Sequence, residues 1–236
     1  MFGKKHKKRS HPFTSAVVLC AGSSTRMGGL DKQTVMLWDW PVYMHSVFAF
    51  EQSEFVDEIV LVVKEDLIPE IGSSVRDCGC QKVTSIVKGG STRALSSSIG
   101  AKAVSRQAEY LLIHDGARPL IDRGLIDRVA GAVYEWQAVA PGCRIAETVK
   151  QVDEDQNVVS TVNRDFLWTV QTPQAFEKNL YLSALEHAEA NSFFDDCQMV
   201  EQYGRTVHMV EGSRRNIKLT TVEDIALAQA LLEMEE

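Results

Sequence analysis

No apolar stretch in this chain approaches the roughly 18 residues that a helix needs to cross a bilayer. Internal repeats and low-complexity linkers are missing too, which excludes solenoids and tethered arrays. Cysteine is sparse and unpatterned. The five, Cys20, Cys78, Cys80, Cys143 and Cys197, are odd in number and irregular in spacing. Cys78-Gly79-Cys80 is not zinc spacing, and no second Cys/His pair answers it. Reduced thiols in a cytoplasm are the expectation. Excess positive charge is also absent. The net charge is -7 even though Lys4, Lys5, His6, Lys7, Lys8 and Arg9 crowd the start. A broad nucleic-acid footprint is therefore not expected. No apolar segment follows those basic residues, so they read as a disordered basic tail over residues 1–14 and not as a secretory signal. Two phosphate-binding signatures are lacking as well, G-x-x-x-x-G-K-[ST] and G-x-G-x-x-G.

What is present is ordinary for a globular protein with a sizeable core. The chain has 236 residues, 44% hydrophobic and 24% charged. Residues 15–236 are expected to form one domain. Strand signals fall at 16–20, 58–63, 83–87 and 110–113, and helical ones at 42–50, 66–77, 92–105 and 124–136. This alternation predicts a Rossmann-like, mostly parallel α/β sheet with helices on both faces. The pattern then changes. Strand character at 145–152 and 158–162 flanks Asp153-Glu154-Asp155-Gln156-Asn157, a turn-forming run. A β-hairpin arm projecting over about 142–165 is predicted, with bare edges that a partner would cover. Strands at 206–210 and 216–219 follow. A last helix is capped by Thr221, with Asp224 three residues on.

The most informative stretch is residues 16–33, an apolar run ending in Ala21-Gly22-Ser23-Ser24-Thr25 and followed by Arg26 and Lys32. Glycine and serine let several backbone N–H groups face one anion, and the two cations add fixed positive charge. Such a set suits a triphosphate. The loops at Ala21, Gly89 and His114 each follow a strand, and ligands of open parallel sheets sit outside the carboxyl ends of strands. Three loops are thus expected to converge on one crevice. His114 reads as structural, and an ion pair between Asp115 and Arg118 competes with a ligand role for that arginine.

Residues 21–33, Gly89-Gly90-Ser91-Thr92-Arg93-Ala94-Leu95-Ser96, His114-Asp115-Gly116-Ala117-Arg118-Pro119, residues 163–174 with Gln171-Thr172-Pro173-Gln174, and Glu211-Gly212 through Asn216-Ile217-Lys218 stand in a telling order. In that order and spacing the chain resembles the 2-C-methyl-D-erythritol 4-phosphate cytidylyltransferase (IspD) family, over residues 15–232. The resemblance implies CMP transfer from CTP to the sugar-alcohol phosphate, with pyrophosphate released and no covalent enzyme intermediate. It implies Arg26 and Lys32 as the catalytic pair. Ala21, Gly22, Ser23, Gly89, Gly90, Ser91, Ser96 and Asp115 would bind nucleotide. Arg118, Thr148, Arg164 and Lys218 would bind acceptor. It further implies a homodimer through the arm. No membrane partner is expected without a spanning run, and with no dedicated carboxylate cage in the sequence Mg2+ is expected to be held mainly by the CTP phosphates. Arg144, Glu147, Asn163 and Phe194 depart from the family pattern on the acceptor side. A cytidylyltransferase for another polyol phosphate, such as ribitol 5-phosphate, therefore stays open, as does a non-catalytic nucleotide-binding relative.

Overall fold

The computed structural model describes residues 10–22, 34–188 and 193–234. The first half comprises β1 (Thr14–Leu19), β2 (Met36–Leu37), β3 (Trp40–Pro41), α1 (Val42–Gln52), β4 (Glu58–Val63), α2 (Ile68–Asp77), β5 (Val83–Lys88), α3 (Arg93–Ala103), β6 (Tyr110–Asp115) and α4 (Arg123–Trp136). The second half adds β7 (Ala138–Arg144), β8 (Val149–Val152), β9 (Val158–Val162), β10 (Trp168–Val170), β11 (Gln174–Glu177), α5 (Lys178–His187), α6 (Asp196–Gln202), β12 (His208–Glu211) and α7 (Val222–Glu233).

The main sheet runs β10-β7-β11-β6-β1-β4-β5, with β12 on the other edge of β7. β1 pairs in parallel with β4 and β6, and β4 with β5. β11 is antiparallel to both β6 and β7. β1 and β4 are buried at every position, as strands covered on both faces must be. Alternate side chains divide the core. Ala16, Val18, Ile59 and Leu61 pack with α1, α2 and α4. Val17, Val60, Val62 and Ile113 pack with α3, α5 and α6 on the other face. The expected doubly covered, mostly parallel sheet is what the chain adopts.

The termini of the elements follow local chemistry. Thr92 caps α3 by accepting from Leu95 N–H at 3.1 Å, and Asp122 caps α4 through Leu125 N–H at 2.8 Å. Each satisfies a donor the helix leaves unpaired. At α7, Asp224 accepts from Thr221 N–H at 2.9 Å, as the Thr-x-x-Asp spacing predicts.

Three sequence expectations change. Residues 216–219 are not a strand. Asn216 N–H turns back to Ser213 and Leu219 N–H donates to Ala117 O, so the segment spends its hydrogen bonds on a turn and a loop. The arm's first strand begins at Val149, not at 145. The sequence also gave no signal for β7, whose Pro141-Gly142 reads as a breaker. Pro141 is tolerated because the opposing strand is interrupted there. β11 pairs with residues 138 and 139 and β10 with residues 142 to 144, so its missing N–H falls in the gap.

Candidate active site

Three loops meet at the carboxyl ends of the parallel strands. Leu19 of β1 lies directly beside Asp115 of β6 in register. The chain then leaves β1 through Ala21 and Gly22, and leaves β5 through Gly89 and Gly90. These loops, Asp115 and Lys218 line a cleft of about 450 Å³. The predicted convergence is therefore present.

The loop after β5 is folded onto its own helix. Ser96 Oγ accepts from Gly90 N–H at 3.1 Å, while Ser91 and Thr92 line the cleft. Gly89 lies so close to the first loop that a Cβ there would stand 2.2 Å from Ala21 Cβ. Glycine is required for that approach.

Asp115 sits in a bracket of cations. Its Oδ1 accepts from Arg93 Nε at 2.9 Å and its Oδ2 from Lys218 Nζ at 2.6 Å. Burial opposes its charge, but Arg93 and Lys218 outweigh that and hold the carboxyl well below the usual range. The competing expectation of an Asp115–Arg118 ion pair is corrected. Arg118 Nη1 donates instead to the carbonyl of Asn216 at 2.6 Å, two residues before Lys218. His114 is structural, as expected. Its Nδ1 lies 3.1 Å from Thr172 Oγ1, and burial pushes its imidazole down to about 3, so it is neutral near pH 7.

Gln171-Thr172-Pro173-Gln174 ties these loops together. Gln171 Nε2 donates to Ser213 O at 2.7 Å and its Oε1 accepts from Ser213 N–H at 3.2 Å. Thr172 Oγ1 accepts from Asp115 N–H at 3.0 Å, and its carbonyl accepts from Asn216 Nδ2 at 2.9 Å. Gln174 Nε2 donates to Asp195 at 2.8 Å and its Oε1 accepts from Cys197 N–H at 3.1 Å, which fixes the start of α6. These residues and Arg93 were absent from the sequence-derived site list. Both lie in segments that carry the family resemblance, Gly89–Ser96 and Gln171–Gln174, but neither was assigned a role.

Thr148 and Arg164 are carried on the hairpin arm, where β8 and β9 pair only with each other. Both are exposed, and neither borders the cleft of its own chain. Arg164 donates to Ala146 O across the arm's root. Arg26, Lys32 and Ser23 lie outside the described residues.

Asp115 is the single carboxylate among the described residues lining the cleft, and both its oxygens already accept from cations. Among the described residues, no group of three or more His, Cys, Asp or Glu side chains is placed to hold a metal.

Glycine-serine loops, one bracketed carboxylate and a lysine at the strand ends of a parallel sheet define an α/β protein of the nucleotidyltransferase class. The profile of the 2-C-methyl-D-erythritol 4-phosphate cytidylyltransferase family (IspD) matches residues 14–234, and the chain belongs to that family. It is 37% identical over 223 residues to the 2-C-methyl-D-erythritol 4-phosphate cytidylyltransferase of Alkaliphilus oremlandii (strain OhILAs), covering 93% of this chain and 94% of that protein. The protein of the same name from Caldanaerobacter subterraneus subsp. tengcongensis is 38% identical over 222 residues, covering 92% and 98%. Among solved structures, 4-diphosphocytidyl-2C-methyl-D-erythritol synthase from Anaerococcus prevotii DSM 20548 superposes with a TM-score of 0.85 at 33% identity, covering 94% of this chain and 96% of that chain.

Proposed function

We propose that this chain transfers the cytidylyl group of CTP to 2-C-methyl-D-erythritol 4-phosphate and releases pyrophosphate, a step of isoprenoid precursor synthesis. The observation that carries the reading is the cleft itself. Two glycine loops, Asp115 and Lys218 converge there from segments about a hundred residues apart (Asp115 and Lys218 are separated by 103 positions).

An oxygen of the acceptor phosphate attacks the α-phosphorus in line. A phosphorus–oxygen bond forms as the bond to the departing pyrophosphate breaks. Chemistry of this kind needs positioning and charge neutralisation more than a side-chain nucleophile. Arg26 and Lys32 supply the neutralising charge on the triphosphate side. Gly90, Ser91 and Ala21 present backbone and hydroxyl groups to the nucleotide, and Ser96 holds the Gly90 turn in shape. Lys218, 39% exposed beside Asp115, is placed to exchange that carboxylate for an acceptor phosphate. Arg118 braces the Asn216 carbonyl and hence the Lys218 loop. A magnesium ion bound with CTP would screen the phosphate charges that repel the attacking group.

Thr148 and Arg164 complete the acceptor site of a second subunit, so the working unit is a homodimer joined through the arms. Exposed Val152, Val158 and Val159 on the hairpin support a covered arm. Arg144 has local partners at the arm's root. It donates to Asp165 O at 3.1 Å and stacks on Trp168 with 4.8 Å to the ring centroid, which stiffens the arm's root.

The test is pyrophosphate release with magnesium and CTP, offering methylerythritol 4-phosphate, ribitol 5-phosphate or no acceptor. Release with the first alone is expected. Release with ribitol 5-phosphate alone would assign the changes at Asn163 and Phe194 to another acceptor. CTP binding without release would place the chain among non-catalytic relatives.

A further inference from the structure

We propose that Asp196, on a helix that does not line the cleft, is a positioning residue for the reaction, acting through Arg93. The inference rests on the transfer reaction proposed above.

Asp196 is fully buried at the start of α6. Its Oδ2 accepts from Arg93 Nη1 at 2.6 Å and from Ser97 Oγ at 3.3 Å, and its Oδ1 accepts from Tyr181 OH at 2.7 Å. Arg93 is 29% exposed at the first position of α3 and lines the cleft. Through Nε it donates to Asp115 at 2.9 Å. One planar guanidinium thus joins a buried carboxylate behind the cleft to the carboxylate inside it.

The geometry has a direction. An arginine in the first turn of a helix meets the unfavourable end of the helix dipole, and its long side chain has many rotamers. Asp196 removes both problems at once. It neutralises the cation and, by fixing Nη1, fixes the direction in which Nε points. A buried charge holds its partner tightly because leaving it unpaired is costly. Asp115 then keeps one cationic partner when Lys218 turns to an acceptor phosphate. The ordering is itself secured by Gln174, which donates to the Asp195 carboxylate and accepts from the Cys197 backbone N–H, on either side of Asp196.

A lysine at position 93 keeps the charge but offers one nitrogen, so it cannot span both carboxylates. Asp196→Asn keeps the size and most hydrogen bonds but loses the charge. With CTP and methylerythritol 4-phosphate, Asp196→Asn should lower kcat about tenfold or more with the CTP KM within about threefold. Arg93→Lys should behave alike, and both variants should stay folded at the assay temperature, although breaking a buried ion pair lowers the thermal midpoint. The double variant should be no worse than Arg93→Lys by more than about twofold, because one residue acts through the other. Multiplying effects, or a kcat loss that merely follows the loss of folded protein, would overturn the proposal. A second readout needs no turnover. The Arg93 Nε–H resonance should be sharp and slow to exchange in the wild-type protein, and should broaden or vanish in folded Asp196→Asn. An unchanged resonance would sink the positioning role, whereas wild-type silence with every acceptor would sink only the reaction reading. Should Asp196→Asn not fold, Arg93→Lys carries the test alone: wild-type kcat in that variant refutes the bridge.

Discussion

A β-carbon at Gly89 would meet Ala21 Cβ at 2.2 Å, Ser96 Oγ at 3.0 Å and Val62 Cγ1 at 3.3 Å. Backbone must move to admit it, so the loops after β1 and β5 would part. Gly89→Ala should destabilise the fold by about 1–3 kcal/mol, the usual range for overpacking. It should also raise the CTP KM with little change in the acceptor KM, as steady-state kinetics would show. Lys32→Ala should lower kcat by about 10²–10³-fold, the scale of a lost charge-stabilising group, with an unchanged thermal midpoint. Near-normal turnover would remove Lys32 from the mechanism. His114 makes a different prediction. Burial dominates and brings it down to about 3 despite the opposing pull of Asp115, with Arg118 adding a smaller push towards the neutral form. The unfolded imidazole titrates near about 6.5. Between those values the unfolded chain binds the extra proton, so stability falls as pH drops through the window. The loss should reach about 2 kcal/mol at pH 5. The Asp115 carboxyl adds its own loss only lower, below its unfolded pKa. Denaturant melts from pH 7 to 4 should show the slope, and His114→Gln should flatten it. An equal slope in that variant would count against the assignment.

The arm shows what an element can and cannot disclose in advance. β9 lies where its valines and threonine place it, because an exposed hairpin strand is set by its own propensity and turn. β8 starts later than its sequence suggests because Ile145 N–H is taken by Leu167 O, a partner more than twenty residues away. Parallel strands of continuous apolar character, such as β1 and β4, are equally plain to read. β7 is not, since Pro141 is acceptable only once the break between β10 and β11 is known. α5 and α6 escaped notice for a related reason. Their apolar faces are modest, and they are fixed by tertiary contacts such as Gln174 to Asp195. The arm's function is testable as an element. Arg164 extends from its root and leaves the cleft of its own chain untouched, so Arg164→Ala should raise the acceptor KM about tenfold or more while leaving the CTP KM within about twofold. Equal effects on the two constants would contradict the arm assignment.

Across the whole molecule, the crevice was readable because topology alone brings the ends of β1, β5 and β6 together. Its wiring was not. Arg93, Asp196 and the Gln171–Gln174 hub act over 15 to 103 positions of sequence separation, and no local spacing encodes such pairs. The same separation of parts carries the argument to the dimer. Lys218 lies in the cleft, whereas Arg164 lies on an arm that does not reach it. If each site takes its core from one chain and its arm from the other, two differently damaged chains can repair one another. Assayed with the acceptor well below its wild-type KM, Lys218→Ala and Arg164→Ala homodimers should each keep about a tenth of wild-type activity or less. Co-expressed at equal levels, half the dimers are mixed, and each mixed dimer holds one intact site and one doubly defective site. Activity should therefore return to about one quarter of wild type, as isologous pairing requires. Sites built within single chains would give no recovery, and the mixture would show only the mean of its two impaired parents.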